Sequence, residues 1–117
     1  MTEFQKSLRG KMHTYVRMIY QLTKKFPQNE LYGVISQLRR ATVSIILNYI
    51  EGYARRRPAV QLNFLETAYG SLQESKYLIY LSQEESWVDT KEYELATALA
   101  EEIGAMLWTT IKSLRKK

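Results

Sequence analysis

Residues 31–50 read LYGVISQLRRATVSIILNYI, and this stretch carries two separate patterns. Side chains suited to a core recur every three or four residues, the spacing of one face of an α-helix. They are Leu31, Val34, Leu38, Thr42, Ile45 and Tyr49. The second half is also apolar on another side, through Val43, Ile46, Leu47 and Ile50. A helix of a small monomeric bundle keeps one face in water, so the second face predicts burial against another copy of the chain. The alternative is cover from a loop or from skewed packing within the same chain.

Three further stretches show the helical spacing, separated by turn signals at Phe26-Pro27-Gln28-Asn29, at Arg57-Pro58 and across residues 82–90. The first stripe is Phe4, Leu8, Met12, Tyr15, Ile19, Leu22 and Phe26. The third is Phe64, Leu65, Ala68, Leu72 and Ile79, and the fourth is Ala96, Leu99, Ile103, Met106, Thr110 and Leu114. Short connections make successive helices antiparallel neighbours. Residues 1–117 are therefore predicted to form one all-α domain, an antiparallel up-down-up-down four-helix bundle, with Thr90 as the N-cap of the last helix.

Composition excludes most kinds of chemistry. The 117 residues include no cysteine and one histidine, His13, so disulfides, thiolate metal sites and the Glu-x-x-His pattern of di-iron bundles are absent. The glycines are scattered singly, which excludes a phosphate-binding loop. We expect no metal, no cofactor and no enzymatic activity. No apolar run is long enough to span a bilayer and no signal peptide is evident, so the expected location is the cytoplasm, away from membranes.

Basic residues are the clearest functional signal. The net charge is +5, and residues 1–58 carry eleven cations and three acids, whereas residues 59–89 carry one and five. Arginine binds phosphate with two donors and stacks on bases. Contact with the RNA or DNA backbone is predicted for Lys24, Lys25, Arg39, Arg40, Arg55, Arg56 and Arg57. Two structural roles remain open, namely that the three arginines at 55–57 complement a helix dipole and that Arg39 and Arg40 pair with the acidic third helix.

Asn48, Glu51 and Gly52 interrupt the most apolar helix. Buried polar groups need hydrogen-bond partners, so the two polar side chains are expected to be buried in a network that fixes helix register or a subunit contact. Gly52 would allow close approach of a neighbouring helix. A ligand or catalytic site is the alternative.

From Lys25 to Ser75 the chain resembles the bacterial four-helix bundle proteins encoded in intervening sequences of 23S ribosomal RNA. Four spaced motifs carry the resemblance. They are Phe26, Pro27 and Glu30; Ser36, Gln37, Leu38, Arg39, Arg40 and Ala41; Ser44, Ile45, Asn48, Glu51 and Gly52; and Phe64, Leu65, Ala68, Gly70, Ser71 and Leu72.

The resemblance implies a left-handed bundle assembled as a ring-like homopentamer, with nucleic-acid binding suspected from basic surfaces. A related group, the accessory proteins of diversity-generating retroelements, looks like the same pentamer and works beside a reverse transcriptase on nucleic acid. The family usually has a proline after its Ser-Ile pair, where this chain has Ile46. An interior proline removes a backbone hydrogen bond, so its loss predicts a straighter or stronger second helix.

Two functions follow from these observations. The first is a non-enzymatic homo-oligomer that binds RNA or DNA through its basic residues. The second is a homo-oligomeric scaffold without nucleic-acid binding, which recruits a protein partner encoded nearby. The scaffold would use an acidic surface on the third helix made of Glu66, Glu74, Glu84 and Glu85.

Overall fold

Four α-helices account for most of the chain. The computed structural model describes residues 1–117, and its helices are α1 (Glu3–Thr23), α2 (Ser36–Tyr53), α3 (Pro58–Glu84) and α4 (Thr90–Arg115). No residue lies in a β-strand. The molecule measures 45 × 25 × 20 Å, as expected for helices of this length packed side by side. The predicted all-α class with four helices in a bundle is confirmed.

The connection between α1 and α2 is more structured than the sequence predicts. Pro27 disfavours helical backbone at the preceding residue, and a 3₁₀ turn (Gln28–Glu30) and a π-helical turn (Leu31–Ile35) follow it. At Gly33 the backbone leaves the helical region, with φ −110° and ψ −113°. This kink delays the start of α2 to Ser36, and Leu31 is 40% exposed instead of buried. From Ser36 to Tyr53 the helix is uninterrupted.

Side-chain caps fix the starts of α1 and α4. Thr2 caps α1, and the backbone N–H of Gln5 donates to its hydroxyl at 3.1 Å. The predicted cap of α4, Thr90, is wrong by one residue. Asp89 is the N-cap, because its carboxylate accepts the backbone N–H of Glu92 at 2.7 Å and carries a negative charge next to the positive end of the helix dipole.

The core is continuous along the bundle. It contains 20 buried apolar residues, with contributions from all four helices. The predicted stripes of α1, α2 and α3 face this core except at Phe4 and Leu31, which are exposed, and at Val34 and Phe64, which are half-buried. On α4 the prediction is partly wrong, because Leu99, Met106, Thr110 and Leu114 are only half-buried. The fully buried side chains of α4 are Ala96, Ala100, Ile103, Leu107 and Ile111.

Small residues explain the orientation of α4. Ala96 and Ala100 are completely buried, and a Cβ placed on Gly104 would lie 3.3 Å from Cδ2 of Leu72 on α3. Residues without bulky side chains let helix backbones approach closely, and the large side chains then pack above and below the contact. The apolar spacing of α4 fits two neighbouring faces, and the small residues select one of them.

One hydrogen-bonded pair lies inside the core. The hydroxyl groups of Tyr15 on α1 and Ser75 on α3 are 2.9 Å apart, and both side chains are fully buried. Ser75 donates its only hydrogen to the carbonyl of Leu72 at 2.7 Å, so Tyr15 must donate to Ser75. Burial raises the pKa of Tyr15 far above its ordinary value, which keeps the hydroxyl protonated for this role.

A second tyrosine has a buried hydroxyl without a partner. Tyr49 on α2 is 1% exposed, and its oxygen makes no hydrogen bond. Its ring packs edge-on against Tyr53, with centroids 4.8 Å apart. Burial raises the pKa of Tyr49 as well. An unsatisfied buried hydroxyl costs stability, so Tyr49 stabilises the fold through its ring and not through its oxygen.

Contacts between helices fall at matched heights along the bundle. Lys11 on α1 and Lys25 in the turn after it form ion pairs with Glu102 and Glu92 on α4. Between α3 and α4 the ion pairs are Lys76–Glu101 and Arg115–Glu66. Between α2 and α3 the Ser44 and Ser71 hydroxyls are 2.9 Å apart, and Gly52 lies against Leu65. None of the helices combines the length and apolar character that crossing a bilayer requires.

The buried hydrogen bond between Tyr15 and Ser75 predicts how variants at these two positions change the free energy of unfolding. Ser75→Ala should lower the free energy of unfolding by about 1–3 kcal/mol, because it leaves the Tyr15 hydroxyl unpaired. Tyr15→Phe should cost about 1 kcal/mol, and the double variant should be no less stable than Ser75→Ala alone. Urea denaturation at one fixed protein concentration measures all three.

Tyr49→Phe is the matched control, since it removes a buried hydroxyl that has no partner. It should leave stability unchanged or raise it by up to about 1 kcal/mol. Strictly additive losses in the Tyr15 and Ser75 double variant would contradict the assigned pair.

Candidate nucleic-acid interface

The ends of all four helices meet around one cavity. It has a volume of about 510 Å³ and is lined by Phe4 and Gln5 near the start of α1, Gly52 and Tyr53 at the end of α2, Gln61 and Leu65 near the start of α3, and Thr109, Thr110, Ser113, Leu114 and Lys117 at the end of the chain. Segments far apart in the sequence are therefore neighbours in space. Charged residues near these four helix ends therefore contribute to the electrostatic potential around one cavity.

A plane through the Tyr15–Ser75 and Ser44–Ser71 contacts divides the bundle into two halves of opposite charge. The half that holds the cavity, called here the basic half, comprises residues 1–13, 45–71 and 103–117. It carries ten cations and three acids. The acidic half, residues 14–44 and 72–102, carries seven cations and nine acids. The charge asymmetry thus runs along the bundle axis and crosses every helix, whereas the sequence showed it only as a basic first half of the chain.

Ion pairing leaves most of the basic half's positive charge unneutralised. Its three acids are all paired, Glu3 with Lys6 at 3.7 Å, Glu51 with Arg55 at 2.8 Å and Glu66 with Arg115 at 2.8 Å. Six cations form no ion pair, and all are exposed. They are Arg9, Arg56, Arg57, Lys112, Lys116 and Lys117.

Arg55, Arg56 and Arg57 form the turn between α2 and α3. All three are exposed, and with Val60 they line a surface depression of about 280 Å³. Arg55 is held in place, because its guanidinium pairs with Glu51 and lies 5.3 Å from the centre of the Phe64 ring. The other two are free of such contacts. Pro58 then occupies the first position of α3, where its missing N–H is not needed, so the turn between the helices is short.

The C-terminal cations also belong to the basic half, although none of them is among the residues predicted from the sequence to contact nucleic acid. Lys112, Arg115, Lys116 and Lys117 close α4 and lie in the same half as the three arginines, and Lys117 lines the cavity. Arg115 also lies 4.9 Å from the centre of the Trp108 ring. The signal was present, since the predicted topology already places the end of α4 beside the end of α2.

Lys24, Lys25, Arg39 and Arg40 lie in the acidic half, apart from Arg55, Arg56 and Arg57. Arg40 lies thirteen residues before the end of α2 at Tyr53, or roughly 20 Å along the helix axis from the 55–57 turn. Lys25 is paired with Glu92. Lys24 and Arg40 are exposed and unpaired, and neither Arg39 nor Arg40 forms an ion pair with α3. The predicted cationic residues therefore form two clusters at different heights.

Arg39 is tied to α1. Its Nε donates to the hydroxyl of Thr23 at 2.8 Å, and its guanidinium lies 4.7 Å from the centre of the Tyr20 ring. Thr23 is almost fully buried, and its hydroxyl donates in turn to the carbonyl of Ile19 at 2.8 Å. Arg39 thus links α2 to α1, and its guanidinium is held against α1 by these contacts.

The second apolar face of α2 is narrower than predicted. Leu47 is 55% exposed and Ile50 is 37% exposed, but Ile46 packs against the core of its own chain and Val43 is half-buried. A groove of about 370 Å³ runs beside this face, lined by Tyr20, Arg39, Arg40, Val43, Ser44, Leu47 and Asn48. The exposed apolar surface therefore centres on Leu47 and Ile50.

Asn48, Glu51 and Gly52 do not form one network. Asn48 donates to the carbonyl and the hydroxyl of Ser44, at 2.9 and 3.0 Å. The expectation that Glu51 is buried is wrong, because it is exposed and pairs with Arg55. The reason is that Glu51 faces the basic turn at the end of α2. Gly52 is buried, and a Cβ there would lie 3.2 Å from Cδ2 of Leu65. It therefore sits at a close contact with α3.

No group of three or more histidine, aspartate or glutamate side chains is arranged to hold a metal ion. His13 is exposed on α1. The polar side chains around the cavity are amides, hydroxyls and one ammonium group. These groups suit hydrogen bonding to a neutral polar ligand and contact with an anion.

Comparison with known proteins identifies the family. A family model described as 23S rRNA-intervening sequence protein matches residues 7–109, which span all four helices. The chain belongs to this family. The resemblance given above by the motifs between Lys25 and Ser75 is confirmed, and it extends beyond them to most of α1 and α4.

A solved structure supports the fold independently. The chain is similar to a crystallised protein of unknown function from the S23 ribosomal protein family of Bacteroides thetaiotaomicron VPI-5482. The TM-score is 0.84 at 20% sequence identity, covering 93% of this chain and 98% of that one. At this identity the likeness concerns the fold alone. A comparison with curated proteins found no match.

The contacts of Arg39 predict that two adjacent arginines differ in stability. Arg39→Ala should lower the free energy of unfolding by about 1–2 kcal/mol, because it removes a charged hydrogen bond to a buried hydroxyl and a cation–π contact. Arg40→Ala, the control, should change it by less than about 0.5 kcal/mol. Urea denaturation distinguishes them, and equal values for the two variants would contradict the structural role of Arg39.

Proposed function

We propose that this protein is a non-enzymatic, oligomeric nucleic-acid-binding protein that contacts the phosphate backbone of RNA or DNA with its basic half. The observation that carries the proposal is the set of six exposed cations in the basic half that form no ion pair. Exposed Lys and Arg side chains that release counterions from phosphates supply most of the affinity of sequence-independent binding. The proposed location is the cytoplasm, where RNA and DNA are both accessible in bacteria.

Arg56 and Arg57 are the central contacts in this proposal, with Arg55 held beside them by Glu51. Lys116 and Lys117 extend the contact surface across the helix ends. Lys24 and Arg40 are a smaller, separate cluster in a half whose net charge is negative, and Lys25 and Arg39 are already engaged within the chain. The acidic half would repel the backbone, so binding is oriented with the basic half towards the nucleic acid.

The proposed topology is antiparallel, up-down-up-down. The order of the ion pairs supports it, since Lys11 in α1 pairs with Glu102 and Lys25, just after α1, pairs with Glu92, which comes earlier in α4. The proposed assembly is a homo-oligomer, with the homopentamer of the family resemblance as the expected form. Its interface uses the α2 face of Val43, Ile46, Leu47 and Ile50, where the exposure of Leu47 and Ile50 supports burial by a neighbouring copy.

Oligomerisation would repeat the basic half in every subunit. Several copies held in fixed geometry bind one nucleic acid more tightly than separate copies, because each further contact is intramolecular. A charge that is modest in one chain then suffices for strong binding.

Salt dependence tests the proposed contact. In the variant with Arg55, Arg56 and Arg57 all changed to Ala, affinity for RNA or DNA should fall by roughly tenfold or more, and the slope of log K against log salt should decrease by about 2–3 units. The charge-matched control changes Arg17, Lys24 and Arg40 to Ala in the acidic half and should keep the wild-type slope. Fluorescence anisotropy titrations over a range of salt concentrations measure both. Equal losses in the two variants would contradict an oriented contact.

Solution mass tests the proposed assembly. Leu47→Glu should dissociate the oligomer, because a carboxylate would have to be buried in an apolar interface. Tyr77→Glu, on an exposed position of α3, is the control and should leave the mass unchanged. Analytical ultracentrifugation reports the mass, and a wild-type protein that sediments as a 13.8 kDa monomer would contradict the assembly.

The second candidate function is a scaffold that recruits a protein partner, and an exposed surface of α3 favours it. Tyr77 is 61% exposed and Tyr80 is 48% exposed, and both lie on the same side of α3 as Glu74 and Glu84. Tyrosine is enriched in protein-binding surfaces, so this pair of exposed rings favours a protein partner. A partner protein bound there would leave the basic half free, so the Tyr77→Glu variant would lose such a partner and keep nucleic-acid binding.

A further inference from the structure

The cavity at the ends of the helices has features that backbone contact alone does not use. Its volume of about 510 Å³ lies within the range of small-molecule sites. Two aromatic side chains stand at its mouth, Phe4 at 42% exposure and Tyr53 at 39%. These are large exposed rings in a region otherwise dominated by cations. An exposed ring beside cations is the arrangement on which unpaired bases stack.

Free hydrogen-bonding groups line the same cavity. Gln61 donates its Nε2 to the carbonyl of Arg55 at 2.7 Å, which leaves its Oε1 as a free acceptor. Gln5 accepts from the backbone of Thr2 through Oε1, which leaves its Nε2 as a free donor. Ser113 makes no side-chain hydrogen bond within the chain, whereas Thr109 and Thr110 donate to carbonyls of their own helix. The cavity thus offers both donors and acceptors, as the edge of a nucleobase requires.

The charged groups lie where a phosphate would follow a bound base. Lys117 lines the cavity itself. The Gln61–Arg55 hydrogen bond joins the cavity wall to the turn that carries Arg56 and Arg57. A strand whose base enters the cavity therefore has cations next to it for its backbone. Gly52 and Leu65, which are both buried, form the part of the lining at the contact between α2 and α3.

From this arrangement we propose that the cavity binds one unpaired nucleotide of a single strand, with its base stacked on Tyr53 and its phosphate contacted by Lys117 and the 55–57 turn. The inference rests on the proposed function and narrows it to single-stranded segments. A base inside a duplex can reach the cavity only by leaving its stack, which costs free energy that an unpaired base does not spend.

The test compares two probes of equal length, a single-stranded oligouridylate of roughly 12 nucleotides and a blunt RNA duplex. Tyr53→Ala should weaken binding of the single strand about tenfold and change duplex binding by less than about twofold. Tyr53→Phe keeps the ring and should retain single-strand affinity. Tyr80→Ala, on the acidic half, removes a tyrosine of similar exposure and should change neither. Circular dichroism of each variant verifies that the helices are intact.

Ser113→Trp provides an independent variant, because it fills the cavity from α4 and leaves Tyr53 and every cation in place. It should reproduce the selective loss of single-strand binding. The inference is overturned if both variants leave single-strand affinity unchanged, or if they lower single-strand and duplex affinity by the same factor. In either case, binding of both probes by the wild-type protein with steep salt dependence would still support the proposed function. A wild-type protein that binds neither probe would remove the proposed function and this inference together.

Discussion

The close contact of Gly52 with α3 determines where the functional groups of this protein lie. A Cβ at this position would be 3.2 Å from Cδ2 of Leu65 and 3.4 Å from the backbone oxygen of Gln61, so the two helices pack here more closely than a side chain would comfortably allow. The contact brings the end of α2 directly against the start of α3. The chain must then reverse within the few residues between Tyr53 and Pro58, and these are the residues that include the three arginines. Tight packing between two helices thus fixes a cationic turn at the end of the bundle.

The rest of the basic half follows from the same register. Because α1 begins and α4 ends at the height of this turn, cations from three distant parts of the sequence share one surface, and the acids among them are used in local ion pairs. Most of the acids lie in the other half, where three of them pair with Lys11, Lys25 and Lys76 and the others form no ion pair. The axial charge separation is therefore a result of topology. A nucleic acid approaching such a molecule would be attracted to one end and repelled from the other.

Much of the fold could be predicted from the sequence because apolar spacing reports burial directly. The four helices, the Pro27 break and most of the core follow from it, and the family follows from the motifs between Lys25 and Ser75. The face of α4 could not be chosen in this way, since Ala100 and Gly104 carry almost no hydrophobic signal although they decide how closely α3 and α4 pack. The kink at Gly33 could not be predicted either, because it depends on backbone angles that the spacing of apolar side chains does not report.

The candidate site could be predicted from the sequence only in part, for a different reason. The sequence identifies cationic residues but not which of them are already engaged, and Arg39 is used to join α2 to α1 through Thr23. The cavity could not be predicted either, since its walls come from all four helices and none of its residues forms a motif. Glu51 shows that a polar residue in an apolar helix need not be buried, because its position faces the 55–57 turn.

Hydrogen–deuterium exchange with and without a single-stranded oligonucleotide tests the central claim most directly, because it reports where the nucleic acid lies without any substitution. Bound nucleic acid should slow exchange of the backbone amides of residues 53–57 and 113–117, which surround the cavity. Residues 24–36, at the opposite end, should be unaffected. Slowed exchange at residues 24–36 with no change around the cavity would contradict the assignment of binding to the basic half.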